Sequence, residues 1–457
     1  MNFIKQISLY TFVGLFGAAV NFFVMPVLSH YLSPADYGLL SLFNTYITIL
    51  IPLVSLSAYS LLSVDYFKEK NKQTFASKFT SIQIVPFISS LVFSFFIWQF
   101  YNSLSGPLEL KGTGTGWGFI MLLITFFTIY SEQFFQFLIL QKKASLFTVY
   151  TIARVLFEVC LTFYFVIGKG FGWEGRMYSW FIASALFSIA GAIYFYRQGF
   201  LKGPVKLEYI KDGVQFGSPL ILHGIGKFVV NQSDRIFIAK MISVSEAGIY
   251  SIGYTVGSLV MILVNAYFNF YTPFLMERLA DVTEERKLQI VKMSYLYGVG
   301  CILILISIGF LAPIFFRIFI AKNYNEGARY VFWVALGYCF WGGYMLFSGF
   351  IFFFKKNKIL AWLAIFNVVT NLLFNYLFIK LFGAIGAAYA TALSFFLIFV
   401  FLAAFTRRFM PLPWFRYSEI KATKLPAERS NHETSGVVTR HTGCYRRRPC
   451  SSATQQR

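Results

Sequence analysis

Apolar runs of twenty or more residues alternate with short polar links along most of this chain. A helix needs a run of that length to cross about 30 Å of hydrocarbon. The alternation predicts twelve spans, at 6–30, 37–64, 82–101, 117–140, 146–167, 175–196, 217–240, 248–273, 293–320, 328–354, 359–379 and 385–405. The seventh is unlike the others, because it carries His223, Lys227, Asn231, Asp234 and Arg235. At 100° per residue the first four of these fall at about 0°, 40°, 80° and 20°. They share one face of a helix whose other sides are Leu, Ile, Phe and Val. A charged group at a helix centre costs about 2.5–3.5 kcal/mol on insertion scales. That face is therefore expected to look into protein or into a watery cavity.

The same alternation repeats itself. At an offset of 210 residues, Gly14 meets Gly224, Asn21 meets Asn231, Ser33 meets Ser243, Asp36 meets Glu246, Gly38 meets Gly248 and Ser41 meets Ser251. A second echo, at offset 211, aligns F-G-x-x-G-x-x-Y at 171–178 with the same pattern at 382–389. Six spans per copy is an even number, so both copies insert in one orientation. Parallel repeats of this kind are a transporter design, with the substrate site between the halves. The predicted fold is an all-α membrane protein of twelve transmembrane helices in two pseudo-symmetric six-helix bundles. Residues 1–200 form the first bundle, 201–408 the second, and 409–457 a basic, disordered tail.

Composition agrees with the class. The chain of 457 residues is 57% hydrophobic and only 13% charged, roughly half the charge of a soluble domain. Its formal charge of +21 does not point to nucleic acid, because the cations sit in the short links. With the N-terminus inside, the cytoplasmic links before Arg407 hold eighteen Lys and Arg against seven on the other side. That bias places both termini in the cytoplasm. The first apolar run reads as a spanning helix, without a cleavage site. Among five cysteines, Cys160, Cys301 and Cys339 read as small core residues. Cys444 and Cys450, near His432 and His441, match no zinc spacing, so no metal is expected. The glycine-rich link 112–118 follows no strand and reads as a connector. The charged stretch 276–292 is expected to form a short surface helix. From about residue 422 the chain loses helical period, and anionic lipid heads are its candidate contact.

Other spans carry polar stripes: Ser41, Asn44, Thr48 and Ser55; Tyr250, Tyr254, Ser258, Asn265 and Asn269; Asn367, Asn371 and Asn375; and Asn21 alone in the first. Neutral amides also serve as interhelical glue, at roughly 0.6 kcal/mol each. Charged residues inside spans are more telling: Glu132, Arg154, Glu158, Lys227, Asp234, Arg235 and Arg317. Arg154 and Glu158, four apart, can neutralise each other. Lys227 lies near the midplane, where a purely structural lysine is hardest to justify. No P-loop, HExxH or G-x-S-x-G occurs, and no link is long enough for a catalytic domain. The chain is read as a non-enzyme without cofactor.

Three runs carry a family resemblance: L-S-H-Y-L-S-P-A-D-Y-G-L-L-S at 28–41; S-P-L-I-L-H, S-D-R-I-F-I-A-K and S-x-S-E-A-G-I-Y-S within 218–251; and F-G-A-I-G-A-A-Y-A-T-A-L at 382–393. The chain resembles, over about residues 5–405, the bacterial polysaccharide-export flippases. These are the O-antigen and capsule-unit translocases of the multidrug/oligosaccharidyl-lipid/polysaccharide superfamily. The resemblance implies an inner-membrane flippase for oligosaccharides linked to polyprenyl pyrophosphate, serving lipopolysaccharide and capsule synthesis through a cationic cavity that alternates between faces. It carries Asp234 and Arg235 over as the family's seventh-helix pair. Some members continue past the twelfth helix after a segment like 410–414, and here the tail departs from that pattern. On this reading Lys227, helped by Arg235 or Arg154 and on one face with His223, attracts the pyrophosphate. Asn21, Asn44, Asn231, Asn265 and Asn269 bind the first sugars, and Asp234 or Glu158 takes a coupling proton or sodium ion. Polysaccharide polymerase machinery is the implied protein partner. The rival readings are a cation-coupled drug exporter of the same superfamily, a peptidoglycan-precursor flippase, and a non-transporting scaffold of a polysaccharide assembly complex.

Overall fold

The structure is a computed structural model and describes residues 3–110, 112–416 and 418–419. The tail from residue 422, with its cysteines and histidines, lies outside the described residues. Every regular element among them is helical: α1 (Phe3–Tyr31), α2 (Pro34–Ser55), α3 (Ser60–Lys68), α4 (Lys72–Ser105), α5 (Thr115–Leu140), α6 (Ala144–Thr162, prolonged by a π turn to Gly168), α7 (Gly172–Arg197), α8 (Leu207–Met241), α9 (Val244–Gly257), α10 (Val260–Ala280), α11 (Glu284–Phe319), α12 (Ala328–Phe353), α13 (Asn357–Phe382) and α14 (Ile385–Arg407).

Among the described residues, eleven stretches are long and apolar enough to cross a membrane, α9 and α10 together making one of them. This is a multi-pass membrane protein. The helix missing from that set is α8, the predicted seventh span. It has 35 residues, about 52 Å of helix, so length does not exclude it. Its polar side chains lower its hydropathy. It nonetheless packs along α2, α4, α9 and α13, in the middle of the helical array.

Two predicted spans are broken. The span 37–64 divides into α2 and α3, with Leu56 and Ser57 at φ 46° and 49° between them. Gly217 of α8 sits against this break, where a methyl group would overlap the Leu56 carbonyl oxygen. The span 248–273 likewise divides at Ser258–Leu259 into α9 and α10. The separate surface helix expected over 276–292 does not form. Instead α10 runs on to Ala280, and α11 starts at Glu284 with Thr283 as its cap, accepting from the Arg286 N–H at 3.3 Å.

The 210-residue offset is built into the packing. Helix α2 crosses α9 so closely that a methyl group on Gly38 would overlap the Val244 carbonyl oxygen, and one on Gly248 would overlap that of Pro34. Each pair of contacts is the other shifted by 210. Ser41 and Ser251 meet at this crossing in a 2.6 Å hydrogen bond. Ser33 caps α2 and Ser243 caps α9, each accepting at 3.1 Å from the N–H three residues on. Helix pairing recurs as well: α1 packs on α6 as α8 packs on α13, and α5 on α7 as α12 on α14.

This crossing closes one end of the molecule, called here the sealed end. The α11–α12 link joins it, with the Ala321 N–H donating to Ser29 Oγ at 3.1 Å and the Tyr324 hydroxyl to the Leu32 carbonyl at 2.9 Å. The opposite end bears most of the lysines. There the α7–α8 link is tied to α4, since Ser77 Oγ donates to the Pro204 carbonyl at 2.5 Å and the Lys206 N–H to Ser81 Oγ at 2.9 Å.

Replacing Ser41 and Ser251 together by cysteine, in a chain stripped of its own cysteines, should give a disulfide under mild oxidation. Hydroxyl oxygens 2.6 Å apart bring the Cβ atoms within the range a disulfide needs. Mass spectrometry of linked peptides reads the result. Absence of the linked peptide would contradict the crossing described here.

Candidate functional site

Exposure inside a membrane protein has two meanings, lipid or cavity, and helix geometry separates them. On α8 the apolar Leu222 is 75% exposed, and Lys227 is exposed too. Five residues apart, they lie about 140° from each other around the helix. On α1 the exposed Phe23 and Asn21 are about 160° apart, and so are Leu156 and Arg154 on α6. These polar groups therefore lie on other sides of their helices than Leu222, Phe23 and Leu156, although on α8 the exposed Phe216 and Leu220 share the side of Lys227. Helix α2 makes the point most simply. It shows no exposed large hydrophobic side chain, so it does not meet lipid broadly, yet its Asn44 is exposed. Asn44 is open on a helix that is otherwise largely covered by protein.

Depth sorts the candidates. At 1.5 Å per residue, Asn21, Asn44 and Asn231 each lie about 15 Å from the sealed ends of their helices. Lys227 and Arg154 lie about 21 Å in, His223 about 27 Å, and Asn265 and Asn269 beyond 30 Å, near the lysine-rich end. Asn21 and Asn231 are symmetry mates in detail. Asn21 Nδ2 donates to the Gly17 carbonyl at 3.1 Å, and Asn231 Nδ2 to the Lys227 carbonyl at 2.7 Å. The mate of Lys227 is Gly17, so the cation belongs to the second half alone. Gly17 abuts Val155 of α6, which sets Asn21 beside the helix that carries Arg154 and Glu158.

The charges pair differently from the sequence reading. Glu158 does not neutralise Arg154. It accepts from Arg176 of α7 at 2.8 Å, and Arg176 also donates to Thr162 at 2.8 Å. The two helices bring residues eighteen apart together, and Arg154 is left half-buried without an ion pair among the described residues. Lys227 and His223 likewise have no side-chain partner there. Glu132 of α5, exposed and within electrostatic reach of Arg154, was singled out in the sequence only as an intramembrane charge.

Asp234 and Arg235 are buried. Their side chains are 3% and 8% exposed and form an ion pair at 2.9 Å. Tyr250 donates to the second Asp234 oxygen at 2.6 Å, and Arg235 donates to the Asn231 carbonyl at 2.9 Å. The guanidinium lies 4.3 Å from the centre of the Tyr254 ring, whose hydroxyl meets that of Tyr338 at 2.8 Å. Tyr338 was not foreseen, because only packing of α9 on α12 brings it in. Beyond this network Glu246 accepts from Arg329 at 2.9 Å and from the Tyr330 hydroxyl. The polar stripe predicted over 250–269 thus splits: Tyr250 and Tyr254 are buried in the network, while Asn265 is half-buried and Asn269 exposed. The third stripe is buried, with Asn375 Nδ2 donating to Asn371 Oδ1 at 3.0 Å. Cys160 is exposed rather than part of the core, since it falls on the lipid stripe of α6 with Val149 and Leu156.

The arrangement is that of a transporter fold. Among solved structures, the chain is similar to the lipid II flippase MurJ in an inward closed conformation (TM-score 0.71, 14% identity, 94% of each chain covered). It is similar to an inward-facing multidrug resistance MATE family transporter of the MOP superfamily (TM-score 0.68, 14% identity, 90% of this chain and 96% of that one). An outward-facing MATE structure gives a TM-score of 0.56 at 15% identity. The fold is therefore the one shared by MOP-superfamily transporters. By sequence, residues 3–277 match the family described as polysaccharide biosynthesis protein, and the chain belongs to that family. Protein 1 of the Lsg locus of Haemophilus influenzae is 22% identical over 395 residues, covering 81% of this chain and 89% of that protein. The solved structures that share its fold are those of transporters and flippases.

Asp234→Asn should destabilise the protein by about 3–5 kcal/mol, because it leaves a buried guanidinium without its counter-charge. Asp234→Leu combined with Arg235→Met should cost less than Asp234→Asn alone. Melting of the purified protein reads both. A smaller loss in the single variant than in the double would contradict a buried, paired network.

Proposed function

We propose that this chain flips polyprenyl-pyrophosphate-linked oligosaccharides across the bacterial inner membrane by alternating access. The observation that carries the reading is Lys227, an ammonium without counter-ion, level with the unpaired Arg154 of the other half. Two such cations at one depth suit a diphosphate. The amides of Asn21, Asn44 and Asn231 lie one to two turns closer to the sealed end, at the position sugars would take. Below Lys227 the same α8 face carries Leu220 and Phe216, which are 39% and 42% exposed. A face that passes from cationic to apolar fits a substrate with a charged head and a hydrocarbon tail. The family's part in polysaccharide biosynthesis supports the saccharide.

His223 extends the polar face towards the lysine-rich end, and Asn265 and Asn269 line the wider mouth. Arg235 supports the site through the Asn231 carbonyl rather than by touching phosphate. For a coupling proton or sodium ion, Asp234 and Glu158 are poor ligands in this conformation because both are ion-paired. Glu132, about 26 Å from the sealed end of α5, is an exposed carboxylate. The lysine-rich end faces the cytoplasm on this reading, with both chain termini there and α8 as the twelfth crossing. Substrate shifts the inward and outward states only by its differential affinity for them.

Lys227→Ala should lower surface polysaccharide about tenfold or more in a strain that depends on this protein, at normal protein levels. Loss of one hydrogen bond to a charged group is worth about 1.5–3 kcal/mol. Lys227→Arg should restore most of the polymer. Wild-type polymer from Lys227→Ala would remove Lys227 from the mechanism.

A further inference from the structure

A polar cavity lies outside the proposed transport site. At the lysine-rich end of the first half, a space of about 1110 Å³ opens among the α3–α4, α5–α6 and α7–α8 links. Lys70, Lys72, Lys143, Lys202 and Lys206 line it, against one carboxylate, Glu69. Glu69 is already engaged by Lys78, at 3.5 Å. Among the described residues none of the five lysines is in an ion pair.

Three of the five are held by neighbours rather than by counter-charge. Lys143 donates to the Tyr194 hydroxyl at 2.6 Å. Lys202 lies 5.1 Å from the Tyr196 ring and Lys206 5.5 Å from that of Tyr209. The floor is rigid as well: Gly203 is pressed so close to the Ser77 backbone that no side chain would fit. Gathering five ammonium groups around one space is repulsive unless an anion offsets it. The flanking residues Phe67, Val205 and Leu207 are 66%, 51% and 64% exposed. A basic cavity with apolar flanks, at the end of membrane helices, is the chemistry that holds an anionic lipid head. Its volume is that of a site for a whole head group rather than for one phosphate.

We propose that this cavity binds the polyanionic phosphate group of a membrane lipid. Anionic phospholipid and a lipid-linked pyrophosphate share that chemistry, and so does free pyrophosphate. The proposal concerns binding alone and does not depend on the transport reading.

The test uses the full chain in phosphatidylcholine nanodiscs and follows its melting temperature. Adding cardiolipin to the discs should raise the melting temperature. The variant Lys70→Gln/Lys202→Gln/Lys206→Gln should lose at least two thirds of that shift, and the corresponding triple arginine variant should keep it. Lys240→Gln/Lys322→Gln, at the sealed end, should behave as wild type. If the glutamine triple does not fold, its three single substitutions are compared, each expected to lose part of the shift. Inorganic pyrophosphate in plain discs is the second arm. A shift there that the glutamine variants also lose identifies a phosphate site that needs no lipid tail. A shift with cardiolipin alone identifies a lipid site. A cardiolipin shift undiminished in the folded glutamine variants, or no shift with either probe in wild type, overturns the proposal.

Discussion

An ammonium group inside a bilayer must meet water, an anion or a carboxylate. Among the described residues Lys227 has no carboxylate partner, and on the proposed reading its side of α8 borders water. Much of the rest of the structure follows from that constraint. The helix that carries it is more polar than the other spans, and it packs on α2, α4, α9 and α13 while Leu222 stays open. Its neighbours α2 and α9 are largely shielded from lipid, and on the same reading the polar groups that remain open, such as Asn44, border the same interior space. A cavity kept wet on one side requires a dry closure on the other. The glycine crossing of α2 and α9 supplies it, reinforced by the buried Asp234–Arg235–Tyr250 network.

The scaffold is duplicated but the chemistry is not. Gly38 and Gly248, Ser41 and Ser251, Ser33 and Ser243, and Asn21 and Asn231 repeat in sequence and in geometry. Lys227, Asp234 and Arg235 have Gly17, Val24 and Met25 as their mates. A twofold frame lets two bundles rock about a shared crossing. On the proposed reading, Lys227 in one half and Arg154 in the other give the space between them a direction. Small residues at the crossing allow close backbone approach, and close approach makes the contact all-or-none rather than gradual.

Much of this was legible in the sequence. Apolar run lengths located nearly every helix, and the 210-residue offset aligned the residues that turn out to meet at the sealed end. The reason is that helices and repeats are local or periodic properties. What sequence could not supply was partner choice between helices. Arg154 and Glu158, four apart, were the obvious pair, yet Arg176 captures Glu158 because α6 and α7 are packed together. Arg235 looked like a substrate ligand until Tyr254 was found against its guanidinium. The break at Leu56–Ser57 has no glycine to announce it, and only the approach of Gly217 accounts for it. Cys160 was read as core because its run is apolar, whereas an apolar residue in a membrane is as well placed against lipid.

The central claim is that Lys227 and Asn44 border water within the membrane. Single cysteines at Lys227, Asn44 and Leu222, in a background without the five native cysteines, can be labelled with a charged, membrane-impermeant thiol reagent in lipid nanodiscs. The account predicts that the first two react at rates within about tenfold of a cysteine in an exposed link, since aqueous access sets thiolate reactivity, and that Leu222→Cys stays unlabelled. Labelling of Lys227→Cys no faster than Leu222→Cys would contradict it.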